Sequence, residues 1–339
     1  MNALRSCLTL ATLAASGLVF GASLAPAQQA PSTADPNATF TLQDENASIS
    51  SGRLTDRYYV NGLRLGYTSG TDGVPDFLTG VGHAVWGSDG SQRFGFDLSQ
   101  QIFTPADTQA TQPPATDRPY AGILMGTFSL FQDTPTSRGM LSLGLGVVGP
   151  WALAEQVQNG FHDVIGQGHT NGWHYQLANE PAAELTSART WRLPIASFAG
   201  LETDALPDLA IGLGNVRIYA QTGAVVRIGQ GLDSDYGVAR VQPGPSGGDA
   251  FTPTRPFAWY VFAGGDGQGV MRDITLDGND FRSGPSVKLD PFVGEIEGGV
   301  ALMAFGTRLT YTQVVQTQEF EHQKGGLHQL GSLALSVRF

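Results

Sequence analysis

Residues 155–166 read EQVQNGFHDVIG. Val157, Phe161 and Val164 fall at i, i+4 and i+7, the spacing of one helical face. Glu155, Gln158, Asn159 and His162 share another face. The spacing predicts a short amphipathic helix with one histidine among polar neighbours, its three apolar residues expected to hold it in place. A histidine can take a proton near neutral pH, provided a partner on its other ring nitrogen fixes the tautomer. The plain alternative is a surface histidine on an exposed helix. Which reading applies depends on the elements that would position it.

Those elements are strands. Residues 58–68 (YYVNGLRLGYT) alternate Leu63, Leu65 and Tyr67 with Arg64, Gly66 and Thr68. Residues 92–103 alternate Phe94, Phe96 and Leu98 with Gly95, Asp97 and Ser99. Further strands are expected at 121–131, 138–148, 209–229 (broken near Gly214-Asn215), 257–264, 297–315 and 327–339, with weaker runs at 38–46 and 185–200. The spacers, such as 104–119 and 242–256, are rich in Gly, Pro, Asp and Ser and read as loops. The chain ends SLALSVRF, with Leu333, Leu335, Val337 and Phe339 on one face and Ser332, Ala334, Ser336 and Arg338 on the other. Such a final strand resembles the terminal strand of bacterial outer-membrane barrels, where the C-terminal aromatic is an assembly signal. It implies the barrel-assembly machinery as a partner through Phe339.

Composition points the same way. Glycine occurs 45 times and charged residues make up only 14% of the chain, well below the roughly 25% of a soluble domain. Overall hydropathy is nevertheless near neutral, because uncharged polar residues replace charges. That suits a wall that meets lipid outside and keeps a polar lumen. Arg5, the apolar run 8–24 and Ala25-Pro26-Ala27 predict a cleaved signal peptide over 1–27. A flexible segment over 28–37 would follow, then a barrel over 38–339. The lone Cys7 precedes the apolar run, so no disulfide framework is expected. No later segment has the 18 or more consecutive apolar residues of a membrane helix. The net charge of −11 argues against nucleic acid as a partner. The fold expected is therefore all-β: a transmembrane antiparallel barrel of about 12 strands, closed because lipid tolerates no sheet edge. A diffusion porin is a weaker reading, since no long constriction loop with paired charge clusters is evident.

Several blocks resemble the lipid A 3′-O-deacylase (LpxR-like) family of outer-membrane enzymes. They are DENASIS (44–50) with TDRYYVNGLRLGYT (55–68), DRPYAGIL (117–124), GVVGPWALAEQVQNGFHDVIG (146–166), GWHYQLANEP (172–181) and, more weakly, GNVRIYAQTGAVVRIG (214–229). The resemblance implies an integral outer-membrane barrel with a short extracellular helix on its wall. It implies calcium-dependent hydrolysis of the 3′-linked acyloxyacyl ester of lipid A, so lipopolysaccharide is the implied partner. The family's histidine, which activates water much as in secreted phospholipase A2, matches His162. Its asparagine near the first strand matches Asn46. Ca²⁺ would polarise the ester carbonyl and prefers oxygen ligands.

The chain departs from the family pattern at four places. An Asn-Asp pair becomes Asn46-Ala47, and a strand threonine becomes Val60. The basic residue before DRPYAG has no counterpart in 104–116, and the catalytic glutamate falls at Gly168. Glu180, Glu155 or Asp163 could stand in for that glutamate. Ala47 and Val60 keep a second expectation open: a catalytically silent barrel that binds lipid A or acts structurally. Glu155, Gln158 and Asn159 are read as a polar seam between helix and wall, supporting the site. Asn46 could instead satisfy backbone groups at a strand end. His169 and His174 read as loop histidines, Asp117-Arg118 as a strand-entry turn with a local ion pair, and 319–328 (EFEHQKGGLH) as a charged hairpin loop. Trp151 and Trp173 either anchor the helix at the lipid interface or pack ordinarily.

Overall fold

A computed structural model of the chain describes residues 34–50, 57–243 and 247–339. The expected signal peptide and residues 28–33 of the expected flexible segment lie outside the described residues. In chain order the described elements are β1 (Thr39–Asn46), β2 (Tyr58–Thr68), α1 (Asp76–Trp86), β3 (Ser91–Thr104), β4 (Ala121–Asp133), β5 (Ser137–Val148), α2 (Ala154–Ile165), β6 (Glu180–Trp191), β7 (Leu193–Phe198), β8 (Leu201–Gly214), β9 (Arg217–Gln230), β10 (Phe257–Asp273), α3 (Ile274–Asp277), β11 (Phe292–Ala304), β12 (Thr307–Gln316) and β13 (His328–Arg338). Every strand pairs antiparallel with its chain neighbours except that β6 and β7 do not pair; β1 pairs β13, and β6 pairs β8 from Glu184↔Gly214 to Thr190↔Asp208. Twelve strands thus close into a barrel. The thirteenth, β7, is an exposed hairpin partner of the first half of β8 and stands outside the ring.

The alternation behaves as the sequence predicts. In β13, Leu333, Leu335 and Val337 face outward and are exposed, while Ser332, Ala334 and Ser336 are buried. The lumen is filled with paired charge. Arg64 bonds Asp97 and Asp249, Arg227 bonds Asp204 and Asp235, and Arg240 reaches Glu45, Glu295 and Glu297. Such charges survive burial only because each meets a counter-charge. Arg240 and Asp249 come from the β9–β10 connection, whose residues near Arg240 sit inside the barrel, Ala239 O and Val241 O accepting from Gln43 and Gln101.

Strand limits differ from expectation where a run continues or turns. The strand expected at 209–229 begins at Leu201, and the one at 257–264 runs on to Asp273. The strand expected at 297–315 is two strands around a tight turn at Phe305-Gly306, both at positive φ. The run expected at 185–200 is β6 followed by β7. Helix α1 was not among the sequence expectations; Gly80 and Gly82 interrupt its helical pattern.

The two described ends meet at one rim, where Ala38 N donates to Phe339 O and Phe339 N to Ala38 O. The 134–136, 192–200 and 305–306 connections lie at that rim too, as do 69–90, which carries α1, and the two ends of the β9–β10 connection. The opposite rim carries 105–120, 149–179, 274–291 and 317–327. Outer-membrane barrels keep short turns in the periplasm and long loops outside, so α2 belongs to the extracellular rim.

Asp35 fastens the periplasmic rim. Its carboxylate accepts from Arg338 Nη2 (2.6 Å), Arg93 Nη2 (2.8 Å), Thr252 Oγ1 (2.8 Å) and Asn37 Nδ2 (3.0 Å). Burial alone would raise its pKa, but the Thr252 and Asn37 hydrogen bonds and the Arg93 charge outweigh it, lowering the value from 3.8 to about 2. The folded state therefore holds Asp35 ionised more strongly than the unfolded chain does. Its contribution to stability is complete above the unfolded value and is lost as pH falls through about 4 towards about 2. Asp35→Asn is expected to remove this part of the acid sensitivity, measured as the unfolding midpoint in urea across that range.

Candidate functional site

Helix α2 is laid against the outer wall by a 3-10 turn, Pro150–Ala152. Leu153, at φ 59°, redirects the chain into the helix, and Gly166, at φ 71°, closes it in the left-handed geometry that glycine accepts readily. The contact with the wall is close. Gln100, on the outward face of β3, donates from Nε2 to Ala152 O (2.6 Å). A Cβ on Gly122, on the outward face of β4, would lie 2.5 Å from the Ala154 Cβ, so only glycine admits the helix there. Beneath it, Val60, Ile102, Tyr120, Ala154 and Trp173 form a buried cluster. A bulge between Tyr59 and Asn61 turns Val60 outward beside Asn61, while Tyr59 packs in the lumen with Phe103.

The helix faces the opposite way from expectation. Val157, Phe161 and Val164 do not hold it to the wall; they point away and are exposed, Val164 at 82%. Gln158 and His162 are buried instead, at 4% and 6% exposed. The physical reason is the solvent. At a rim flanked by lipid an apolar stripe need not seek protein, whereas polar side chains need partners. Residues 168–173 supply them. Gln158 Oε1 accepts from Trp173 Nε1 (3.1 Å) and Thr170 Oγ1 (3.3 Å). Asn159 Oδ1 accepts from Thr170 N and Oγ1 (both 2.9 Å). Gln158 and Asn159 thus form a polar seam between the helix and the returning loop. Glu155 is half-buried in the first turn, where a carboxylate complements the helix dipole.

His162 Nδ1 lies 2.8 Å from Gly168 O. A carbonyl can only accept, so the neutral ring carries its proton on Nδ1 and its lone pair on Nε2. Position 168, where the family pattern places a glutamate, thus contributes a backbone oxygen. Two of the proposed stand-ins are committed elsewhere. The buried Glu180 accepts from Asn279 Nδ2 and Asp280 N, and Asp163 pairs with His169 at 2.7 Å.

Asn46 ends β1 on its outward face. Its Oδ1 accepts from Ser48 N (2.7 Å) and Ser48 Oγ (2.6 Å), capping the 3-10 turn Ala47–Ile49. Ala47 is buried at 1% exposed, with no oxygen to offer beyond its backbone. Asp44, two residues earlier on the same face, accepts from Asn61 Nδ2 (2.7 Å). Sequence reasoning passed over Asp44, although its i, i+2 spacing from Asn46 placed both on one face. Among the described residues, no three His, Cys, Asp or Glu side chains cluster so as to hold a metal ion.

The remaining candidates divide. Arg118 does not pair with Asp117. It is fully buried and bonds Glu319 (2.5 Å) and Thr275 Oγ1 (2.7 Å), while Asp117 accepts from the backbone of Ala106 and Arg118. In 319–328, Glu319 is spent on Arg118, Glu321 pairs with Lys288, and His328 Nε2 meets Tyr59 O. Trp151 is 67% exposed at the rim, whereas Trp173 is packed under α2.

A family model described as outer membrane protein LpxR matches residues 10–339. The solved structure of LpxR from Salmonella typhimurium is similar with a TM-score of 0.73 at 20% identity, covering 89% of this chain and 100% of that one. The β domain of the Bordetella autotransporter BrkA aligns with a TM-score of 0.41 at 9% identity, over 90% of this chain and 99% of that one. No curated protein sequence matches.

Proposed function

The chain belongs to the LpxR family of outer membrane proteins, known as a lipid A deacylase family, and from that premise we propose that it hydrolyses the 3′-linked acyloxyacyl ester of lipid A with His162 as general base. The observation that carries the reading is the Nδ1 contact of a buried histidine with Gly168 O on an outer-wall helix. Nε2 takes a proton from water, the hydroxide oxygen attacks the ester carbonyl, and the ester C–O bond breaks. The same proton then passes to the departing sugar oxygen, leaving a fatty acid and a free 3′ hydroxyl. General bases of this kind contribute typically about 10²–10⁴-fold. Gln158, Asn159 and Glu155 would hold the helix and its returning loop in register, and Asn46 would fix the end of β1 beside the site.

A calcium ion at the oxyanion is the group the family resemblance implies, and it would seek about 6–8 oxygen ligands. On this face the described residues offer Asp44, Asn46 and Asn61, all three already hydrogen-bonded, beside a buried alanine and a valine. That set does not fit a calcium cage. Ala47 and Val60, which carry no side-chain oxygen, motivate a second reading, a silent barrel that binds lipid A. The terminal strand ending at Phe339 would serve the assembly machinery under either reading.

Purified barrel in detergent, given lipid A with and without Ca²⁺, separates the readings by mass spectrometry. Loss of the acyloxyacyl chain with the natural sequence supports the enzyme. Loss only after Ala47→Asp with Val60→Thr supports the silent barrel. No loss with either protein removes the hydrolytic proposal.

A further inference from the structure

Helix α1 carries Phe77, Val81 and Val85 at i, i+4 and i+8, and all three are exposed, Phe77 at 71%. Its other side is seated on the barrel. Thr79 O accepts from Gln92 Nε2 (3.2 Å), Gly82 lies over the Gln92 side chain, and the Trp86 ring covers Gly139 so closely that a Cβ there would fall 2.6 Å from it. Gln92 and Gly139 belong to the outward series of β3 and β5, which includes the exposed Phe96, Leu98, Leu143 and Leu145. Helix α1 therefore lies on the outside of the wall at the periplasmic rim.

Its depth follows from β3, which carries both outer helices. The α1 footprint is at Gln92 and the α2 footprint at Gln100 and Ile102. From Gln92 the strand takes eight residue steps to Gln100 and ten to Ile102, about 26–33 Å. Tilted by about 40°, that covers about 20–25 Å of membrane, close to the height of a barrel's apolar band. Phe94, Phe96 and Leu98 fill the outward positions between. The two helices thus bracket the hydrocarbon layer, and each turns an apolar stripe away from the barrel.

We propose that α1 is an interfacial helix whose Phe77, Val81 and Val85 stripe lies among phospholipid acyl chains of the periplasmic leaflet. The stripe continues the lipid-facing wall and sits where amphipathic helices settle, at the boundary of headgroups and chains. Left in water, a contiguous apolar face of this kind is a liability. The occupant is lipid rather than a protein because the seat is fixed by the bilayer's own thickness. The inference is independent of the hydrolytic activity.

The test uses the full chain in a Cys7→Ser background with single replacements Phe77→Cys, Val81→Cys, Val85→Cys and, in the exposed preceding loop, Asp72→Cys. Each is spin-labelled and reconstituted in phosphatidylethanolamine–phosphatidylglycerol vesicles. Oxygen, which concentrates in lipid, is expected to collide with labels at 77, 81 and 85 several-fold more, relative to a water-soluble nickel chelate, than at 72. Preference for the nickel chelate at all four sites would place α1 in water and overturn the proposal. Exclusion of both probes at 77, 81 and 85 would show a protein cover, such as a second copy, and overturn it as well. Because all four replaced residues are exposed, folding should be retained, checked by heat-modifiable migration.

Discussion

Replacing His162 by alanine is expected to slow ester hydrolysis by about 10²–10⁴-fold, the usual contribution of a positioned general base. His162→Asn is the sharper variant. Its amide nitrogen can stand where Nδ1 stands and keep the hydrogen bond to Gly168 O, yet it has no basic nitrogen. Both variants should lose the rate, and both should migrate as folded barrels in unheated gels. If His162→Asn keeps the natural rate, the histidine holds the loop and does no proton chemistry. Single-turnover rates on lipid A in mixed micelles decide between these outcomes.

Replacing Arg240 by alanine is expected to cost about 3–5 kcal/mol of folding stability, the loss seen when one partner of a buried ion pair is removed. Arg240 is 2% exposed at its side chain and is the cation for three acids, with Nε 2.9 Å from Glu45 and Nη1 3.5 Å from Glu297 and 3.7 Å from Glu295. It also tethers the inward-folded β9–β10 connection, since Glu45 accepts from the backbone of Val241 and Gln242. Without the guanidinium, three carboxylates face one another across the lumen. The urea midpoint of the barrel in lipid vesicles should fall accordingly. Combining Arg240→Met with Glu45→Gln should recover much of the loss, because it removes charge from both sides. An Arg240→Ala barrel as stable as the natural one would mean that water enters and screens the cluster.

Local pattern made the wall legible. YYVNGLRLGYT alternates from Asn61 onward and forms β2 with the expected limits, and the predicted helix is shifted by a single residue at each end. Alternation is a backbone property and survives in sequence. The ion pairs of lumen and rim could not be read, because they join distant segments: Arg240 meets Glu45 across 195 residues and Arg118 meets Glu319 across 201. Periodicity also says which residues share a face and not what that face meets. Val157, Phe161 and Val164 were correctly grouped, but lipid competes with protein for such a stripe, and the buried side of α2 proved to be the one with Gln158 and His162. Asn46 and His162 were singled out through family resemblance. The carboxylate of Asp44 needed only the two-residue strand period to be noticed.

These observations give the stretch EQVQNGFHDVIG a defined geometry. Its apolar residues face outward, its histidine faces the wall, and a backbone oxygen fixes the ring. The central claim is that this geometry removes an acyl group from lipid A. The most direct measurement is the mass spectrum of lipid A from outer membranes carrying the natural chain, beside membranes carrying equal amounts of His162→Ala. A species lacking the 3′-acyloxyacyl group is expected with the natural chain and not with the variant. Identical lipid A spectra from the two membranes, with both barrels folded, would contradict the account.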